Sequence, residues 1–440
     1  MAIDASSGIT TRPAHPGDAR VASRFYVDAY TPADGGSARD HYPFVQLLEP
    51  ASLRREISRP DLCWVVAEIA GRVVGMVGAG RSGPGRDRVS EFFGLVVDEK
   101  MRGAGVATAM IRYACGMLEE TTDVLFAETR TAGVGAWRAF RRCGFIPFGF
   151  EPYAHTTPAG SEPMLFLGRL SERARRAPVC PVASTRRVAE LASAVLESTG
   201  LDVARSAEAG PWLPDRVAAT GDGSLVLVES RSRARRLQRR WGEASGPRAG
   251  VVGLDRYEGI DRRSDRFSTH WIVARRRDRD VACARIALDR ADQRARILRV
   301  DSADRGVEAD LLDGIVAVLS RQAEGGPLTA VVDVRVDQPS LQAKLEGLGF
   351  VPTVYYPRLL ATASGRLDAV QYTRTWGRGF APALEWVRDL EWGDAARVIH
   401  AVGAFAGSSG TERPLGAPPS ETPADPRTHA GLGIPLQISL

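Results

Sequence analysis

Leu95-Val96-Val97-Asp98-Glu99-Lys100-Met101-Arg102-Gly103-Ala104-Gly105-Val106-Ala107-Thr108-Ala109-Met110-Ile111-Arg112-Tyr113-Ala114 carries an apolar strand into a short glycine turn and on into an amphipathic helix. Gly103 and Gly105 let the backbone turn tightly and bare a row of N–H groups. The helix that follows points the positive end of its dipole at the same place. A turn of this build holds an anion, usually phosphate or pyrophosphate, on main-chain donors. The identity of that phosphate ligand separates a nucleotide enzyme from a coenzyme A enzyme.

The chain around this turn has 440 residues, too many for one ordinary core, and implies two or three domains. With 44% hydrophobic and 25% charged residues it has the balance of a soluble globular protein. No apolar run is long enough to cross a bilayer, and Met1-Ala-Ile-Asp-Ala-Ser-Ser-Gly lacks the regions of a signal peptide. Cys63, Cys115, Cys143, Cys180 and Cys283 show no metal-binding spacing and read as reduced thiols in a cytoplasmic protein. The net charge of +5 is almost all arginine, with lysine only at 100 and 344, and acids are interspersed throughout. A solvated surface explains that charge better than a nucleic-acid site. No membrane partner is expected, and a homo-oligomer is compatible with the chain.

The sequence also resembles itself. Trp64-Val-Val-Ala-Glu-Ile-Ala-Gly-Arg-Val-Val-Gly recurs in outline as Trp271-Ile-Val-Ala-Arg-Arg-Arg-Asp-Arg-Asp-Val-Ala, each a strand, a polar turn and a strand. Arg102-Gly103 has a counterpart in Arg305-Gly306, and Cys143-Gly144-Phe145 in Leu348-Gly349-Phe350. Three ordered matches at a near-constant offset of roughly 205 residues point to duplication. The first copy reads as a strand near 8–12, helices near 18–30 and 49–58, and strands at 63–69, 72–80 and 88–97. A helix over 105–119, a strand at 124–128, a helix over 135–143 and strands at 148–155 and 164–169 complete it. The expected organisation is a first domain over 1–172, a linker at 173–182, a second domain over 183–402 and a disordered tail over 403–440.

For the turn itself, a P-loop requires Gly-Lys-Ser/Thr, but Val106 and Ala107 follow Gly105. A dinucleotide fingerprint needs a third glycine or alanine where Thr108 stands, and an acid further on that is missing. By contrast, Arg102-x-x-Gly105-x-Ala107 after a strand, followed later by a helix and Cys143-Gly144-Phe145, resembles the GNAT superfamily of acyl-CoA N-acyltransferases. The resemblance covers most of residues 8–170. It implies an α/β fold of two tandem GNAT-like domains, each a twisted mixed sheet flanked by helices. Acetyl-CoA or another acyl-CoA would be the co-substrate. Its pyrophosphate would lie on the amides of Arg102, Gly103, Ala104, Gly105, Val106, Ala107 and Thr108, and its pantetheine arm along Leu95, Val96 and Val97. A small-molecule or peptide amine would be the acceptor.

The chemistry needs a base for the ammonium, an oxyanion donor and an acid for the leaving thiolate. Glu91, in Ser90-Glu-Phe-Phe-Gly-Leu-Val-Val, lies where the family often carries its base, and a glutamate among apolar neighbours suits that work. The family's usual acid is a tyrosine five residues before the Phe of the Gly-Phe pair; here that residue is Phe140, which has no hydroxyl. Tyr153 and His155 lie in the hairpin that commonly covers the acceptor site, and a histidine there can act near neutral pH. Tyr42, Phe92 and Phe93 line either an acceptor pocket or the core.

The second copy reads Arg305-Gly306-Val307-Glu308-Ala309-Asp310 at the turn. Glu308 replaces the central glycine, and it and Asp310 bring negative charge to the place of a pyrophosphate, which identifies a non-catalytic copy. N-acyl transfer in the first half is the leading expectation. An acyl-CoA-binding regulator, which Phe140 favours, and an aminoacyl-tRNA-dependent Fem-like transferase, which the basic run Arg231–Arg240 favours, are the alternatives.

Overall fold

The computed structural model describes residues 8–32, 36–42, 44–80, 87–157, 160–180, 183–201, 226–245, 250–252, 267–302, 305–388 and 393–408. The first half contributes strands β1 (Ile9–Pro13), β2 (Leu62–Ile69), β3 (Arg72–Gly80), β4 (Val89–Val97), β5 (Val124–Arg130), β6 (Ile146–Thr157) and β7 (Gly160–Leu170). The second contributes β8 (Val226–Glu229), β9 (Phe267–Arg276), β10 (Arg279–Asp289), β11 (Arg294–Ser302), β12 (Leu328–Arg335), β13 (Val351–Thr362) and β14 (Gly365–Trp376).

Among the described residues all fourteen strands lie in one mixed sheet, ordered β1-β2-β3-β4-β5-β7-β6-β13-β14-β12-β11-β10-β9-β8. Inward from either edge the pairings succeed one another identically. Three antiparallel steps come first, then one parallel step, β4–β5 or β11–β12, then two antiparallel steps to the middle. Each half thus supplies a mixed sheet flanked by helices, as its sequence implies, and the two sheets join into one through β6 and β13.

Local sequence explains the elements. The β2–β3 hairpin turns on Ala70 and Gly71, both left-handed (φ 50° and 72°), and β9–β10 turns on Arg277 and Asp278 (φ 48° and 64°). Such turns match the twist of the strands they join. Helix Val106–Leu118 buries Val106, Met110, Ile111, Ala114, Cys115 and Leu118 along one stripe and packs on β2 and β3. It comes so near the sheet that a Cβ on Gly75 would stand 2.9 Å from the Met110 methyl.

At the middle, β6 and β13 pair where Gly149 faces Val354. A Cβ on Gly149 would fall 2.1 Å from the Thr353 carbonyl oxygen, so only glycine admits this approach. Helices Arg186–Thr199 and Gly393–Ser408 pack together and cover both β6 and β13. Gly393–Ser408 carries the chain past the expected tail boundary at 403, because Val398, Ile399, Val402 and Phe405 form a buried helical stripe. The rest of the expected tail, and residues 181–182 of the expected linker, lie outside the described residues.

Charges also cross the junction. Arg366 of β14 bonds Asp123 of the first half at 2.9 Å and the Asp87 carbonyl at 2.7 Å, and Arg358 donates to the Ala174 carbonyl at 3.1 Å. Replacing Gly149 with valine is expected to lower the unfolding free energy by about 3 kcal/mol, the upper range of overpacking costs. Urea denaturation checks this; an unchanged midpoint would show that the two halves do not depend on their shared ladder.

Candidate functional site

β4 and β5 begin as a regular parallel pair, Val89 to Phe92 against Val124 to Ala127, and pair no further. Beyond that point β4 runs toward the glycine turn and β5 toward Arg130, leaving a gap between them. β4 also bulges. Its register with β3 shifts between Met76/Val96 and Gly78/Phe93, where Gly94 is left-handed (φ 61°) and its carbonyl accepts the Tyr26 hydroxyl.

A cavity of about 740 Å³ occupies this gap and continues to both ends of it. At one end lies the predicted turn. Gly103 (φ 81°) and Gly105 (φ 89°) are both left-handed, Gly105 is the N-cap of helix Val106–Leu118, and nothing lies within 4 Å of where a Cβ would be on either. Leu95, Val96, Val97, Arg102, Gly103, Gly105, Val106, Ala107 and Thr108 all line the cavity. Of the residues expected there, Ala104 alone is not in its wall; it packs on the core. Arg138 and Arg142, from helix Val134–Arg142, join Arg102 in the lining. Thr129, buried on β5, also borders the cavity, and its Oγ1 has no hydrogen-bond partner. Open glycines at a helix N-terminus, three guanidinium groups and a buried hydroxyl lacking a partner together suit an elongated polyanionic ligand with polar groups along its length.

Glu91 and His155 both line this cavity. Glu91 stands in register with Phe126, so strand alternation puts it on the same face as Glu128, two residues further along β5. His155 is buried on β6, its Nδ1 3.5 Å from Asp292 Oδ1 of the second half. Tyr153 does not join them. It sits where β6 slips register against β7, with φ 52°, and this bulge turns its side chain elsewhere. Its hydroxyl donates to the Gly379 carbonyl, and its ring lies beneath the Arg378 guanidinium at 4.4 Å.

Phe140 is in the wall, edge-on to Phe92 and Phe145. Aromatic side chains also form the opposite part of the lining: Tyr30 stacks on Tyr42 with centroids 4.1 Å apart, and Phe44 and Phe93 complete the group. Burial raises the Tyr30 phenol and holds Tyr42 well above the usual range, so both are protonated donors at neutral pH. Sequence reasoning missed Tyr30, Glu128, Arg138 and Arg142, and also Asp289, Asp292 and Arg294, which the second half sends into the same cavity. Alternation along β5 is a local signal for Glu128 once β5 is paired with β4; the others carry none.

The second half has no equivalent turn among its described residues. Helix Arg305–Gln322 already includes Gly306 and Glu308, which sits in its first turn, and Asp310 pairs with Arg276 at 3.0 Å. Here the chain runs on as helix through positions that the first half spends on a left-handed turn.

Residues 27–145 match the family model described as Acetyltransferase (GNAT) family, and this part of the chain is a GNAT domain. Among solved structures, a GNAT-family acetyltransferase from Streptococcus pneumoniae is 16% identical, with 37% of this chain and 99% of that chain covered and a TM-score of 0.31. A putative acetyltransferase from Salmonella typhimurium, solved with its cofactor acetyl-CoA, is 16% identical, covering 37% and 94%, with a TM-score of 0.32. Spermidine N-acetyltransferase from Vibrio cholerae, solved with CoA and spermine, is 17% identical, covering 38% and 96%, with a TM-score of 0.32. No curated protein matches the sequence.

The thiols beside the site give a direct check on its geometry. Burial pushes Cys115 up to about 11 and raises Cys143, whose Sγ donates to the Thr108 carbonyl at 3.5 Å. A raised thiol holds less of the reactive thiolate at any pH below that value. Iodoacetamide at pH 8 is therefore expected to modify the partly exposed Cys180 well before Cys115 or Cys143 in the native protein. Rapid labelling of Cys143, read by peptide mass spectrometry, would contradict the packing behind the turn.

Proposed function

We propose that this chain is a coenzyme A-dependent N-acyltransferase whose chemistry takes place in its first half. One observation carries the reading: a single cavity joins the left-handed glycine turn, the gap where β4 leaves β5, and the side chains of Glu91 and His155. Bound acyl-CoA supplies an activated thioester. The N–H groups from Arg102 to Thr108, helped by the Arg138 and Arg142 guanidinium groups, would hold its phosphates. Leu95, Val96 and Val97 would offer backbone groups to the pantetheine arm, with the Thr129 hydroxyl facing them across the gap.

The acceptor amine would enter on the side of Tyr30, Tyr42 and Phe44. Glu91 or His155 takes a proton from the ammonium so that its nitrogen can attack. The C–N bond forms as the C–S bond breaks, and the departing sulfur needs a proton. Phe140 cannot provide one; the Tyr30 and Tyr42 phenols, both in the cavity wall and kept protonated by burial, are the donors there. The second half, with helix where the turn would be, is a degenerate GNAT-like copy that binds no coenzyme A.

Two substitutions test this reading. Gly105→Glu places a carboxylate at the helix N-terminus. A like charge about 4 Å away costs about 4 kcal/mol at intermediate polarity, so acetyl-CoA affinity should fall a hundredfold or more by calorimetry. The new side chain enters open space, but a non-glycine residue at φ 89° is strained, so the fold should survive at a cost of about 1–3 kcal/mol. Glu91→Gln should lower kcat by about 10²- to 10⁴-fold with the best of a panel of amines, if it is the base. Normal acetyl-CoA affinity in Gly105→Glu would remove the site. Tight acetyl-CoA binding with no amine acylated would leave a regulator that binds acyl-CoA.

A further inference from the structure

The second half reaches into the cavity by one tight turn, from the end of β10 at Asp289 to the start of β11 at Arg294. The Asp289 carboxylate shapes that turn by accepting from the amides of Ala291 and Asp292, at 3.1 and 3.2 Å, and Gln293 turns it with φ 52°. Its side chains then clasp β6 on both sides of one residue. Arg294 donates to the Ala154 carbonyl at 3.3 Å, and the Thr156 amide donates to Asp292 Oδ1 at 2.7 Å. Between Ala154 and Thr156 stands His155. Its Nδ1 lies 3.5 Å from the same Asp292 oxygen, and both side chains are only 6% exposed.

We propose that Asp292 and Arg294, supplied by the second half, position the His155 imidazole for the chemistry of the first, so that the reactive site is complete only across the two halves. The inference rests on the acyl-transfer reading. A carboxylate beside Nδ1 holds the proton on that nitrogen and leaves Nε2 with its lone pair directed away from Asp292. Arg294 keeps the strand in place, and is itself held by Glu151, which is fully buried. Asp292 is thus a positioning residue acting through His155, and Arg294 acts through the backbone of Ala154. Other charged groups around the imidazole are Glu162, its cross-strand partner on β7, which is engaged by Arg130, together with Asp289, Glu91 and Glu128 in the shared cavity.

The test uses the full chain. Asp292→Asn keeps an oxygen for the Thr156 amide while removing the charge. It is expected to lower kcat by about 10- to 100-fold and leave acetyl-CoA affinity unchanged. Asp292→Glu should keep part of the rate that Asp292→Asn loses. Nitrogen NMR of the histidines, with His155 assigned by its loss in His155→Gln, should show a single tautomer protonated on Nδ1 in the wild type and a mixture in Asp292→Asn. A wild-type His155 protonated on Nε2 overturns the proposal, and so does an Asp292→Asn variant with unchanged rate and tautomer. If the wild type acylates no amine while the tautomer shifts as expected, acyl transfer is the part that fails and the positioning stands.

Discussion

Glu151 is buried without solvent contact, and its carboxylate is shared by Arg294 and Arg296 of β11 and by the Gln371 amide of β14. Arg296 passes on to Asp333 of β12 at 2.9 Å. Two carboxylates and two guanidinium groups therefore balance in an interior where any one of them alone would be costly. Removing a single partner of such a pair typically costs about 3–5 kcal/mol, because the other charge stays buried. The arrangement binds β6 of the first half to β11 and β14 of the second, with which it shares no ladder. It also sets the placement of the turn Asp289–Arg294, and with it the far wall of the cavity.

That constraint explains why the halves share one sheet instead of packing two sheets face to face. Hydrogen bonding between β6 and β13 is limited to the approach at Gly149, too little to fix a junction by itself. The charged lattice supplies direction, since a displaced strand would leave a guanidinium group without its oxygen. Asp123 does the same at the other end of the junction, where Arg366 of the second half and Arg173 of the first both meet it. The helices over β6 and β13 add apolar burial, which favours contact but says little about register.

The features that could be read from sequence were those written in adjacent residues. The turn at Arg102–Ala107 depends on left-handed glycines next to a strand and a helix, and all three are local. The strands of the first half follow from runs of Val, Ile and aromatic residues broken by turn residues. What could not be read depends on events several strands away. Tyr153 and His155 are two apart on one strand and should share a face, yet a bulge against β7 sends one to Gly379 and leaves the other in the cavity. The helix Gly393–Ser408 hides in a stretch rich in glycine and alanine, where four apolar side chains decide the matter. Asp292 carries no signal at all, being one acid among 53 acidic residues until β11 is placed against β6.

The fate of the second half follows from the same economy of charge. A left-handed glycine turn is expensive to keep unless a ligand uses its amides, and the helix Arg305–Gln322 runs through those positions instead, satisfying its backbone internally. Glu308 in its first turn neutralises the dipole that would otherwise attract an anion. The ends of β10 and β11 meet a different demand, because they face the first half and not solvent. There, Asp289, Asp292 and Arg294 form bonds that a free-standing domain would have no use for. In the proposed scheme the second half holds an imidazole and no phosphate, and the buried lattice around Glu151 fixes the turn that does so.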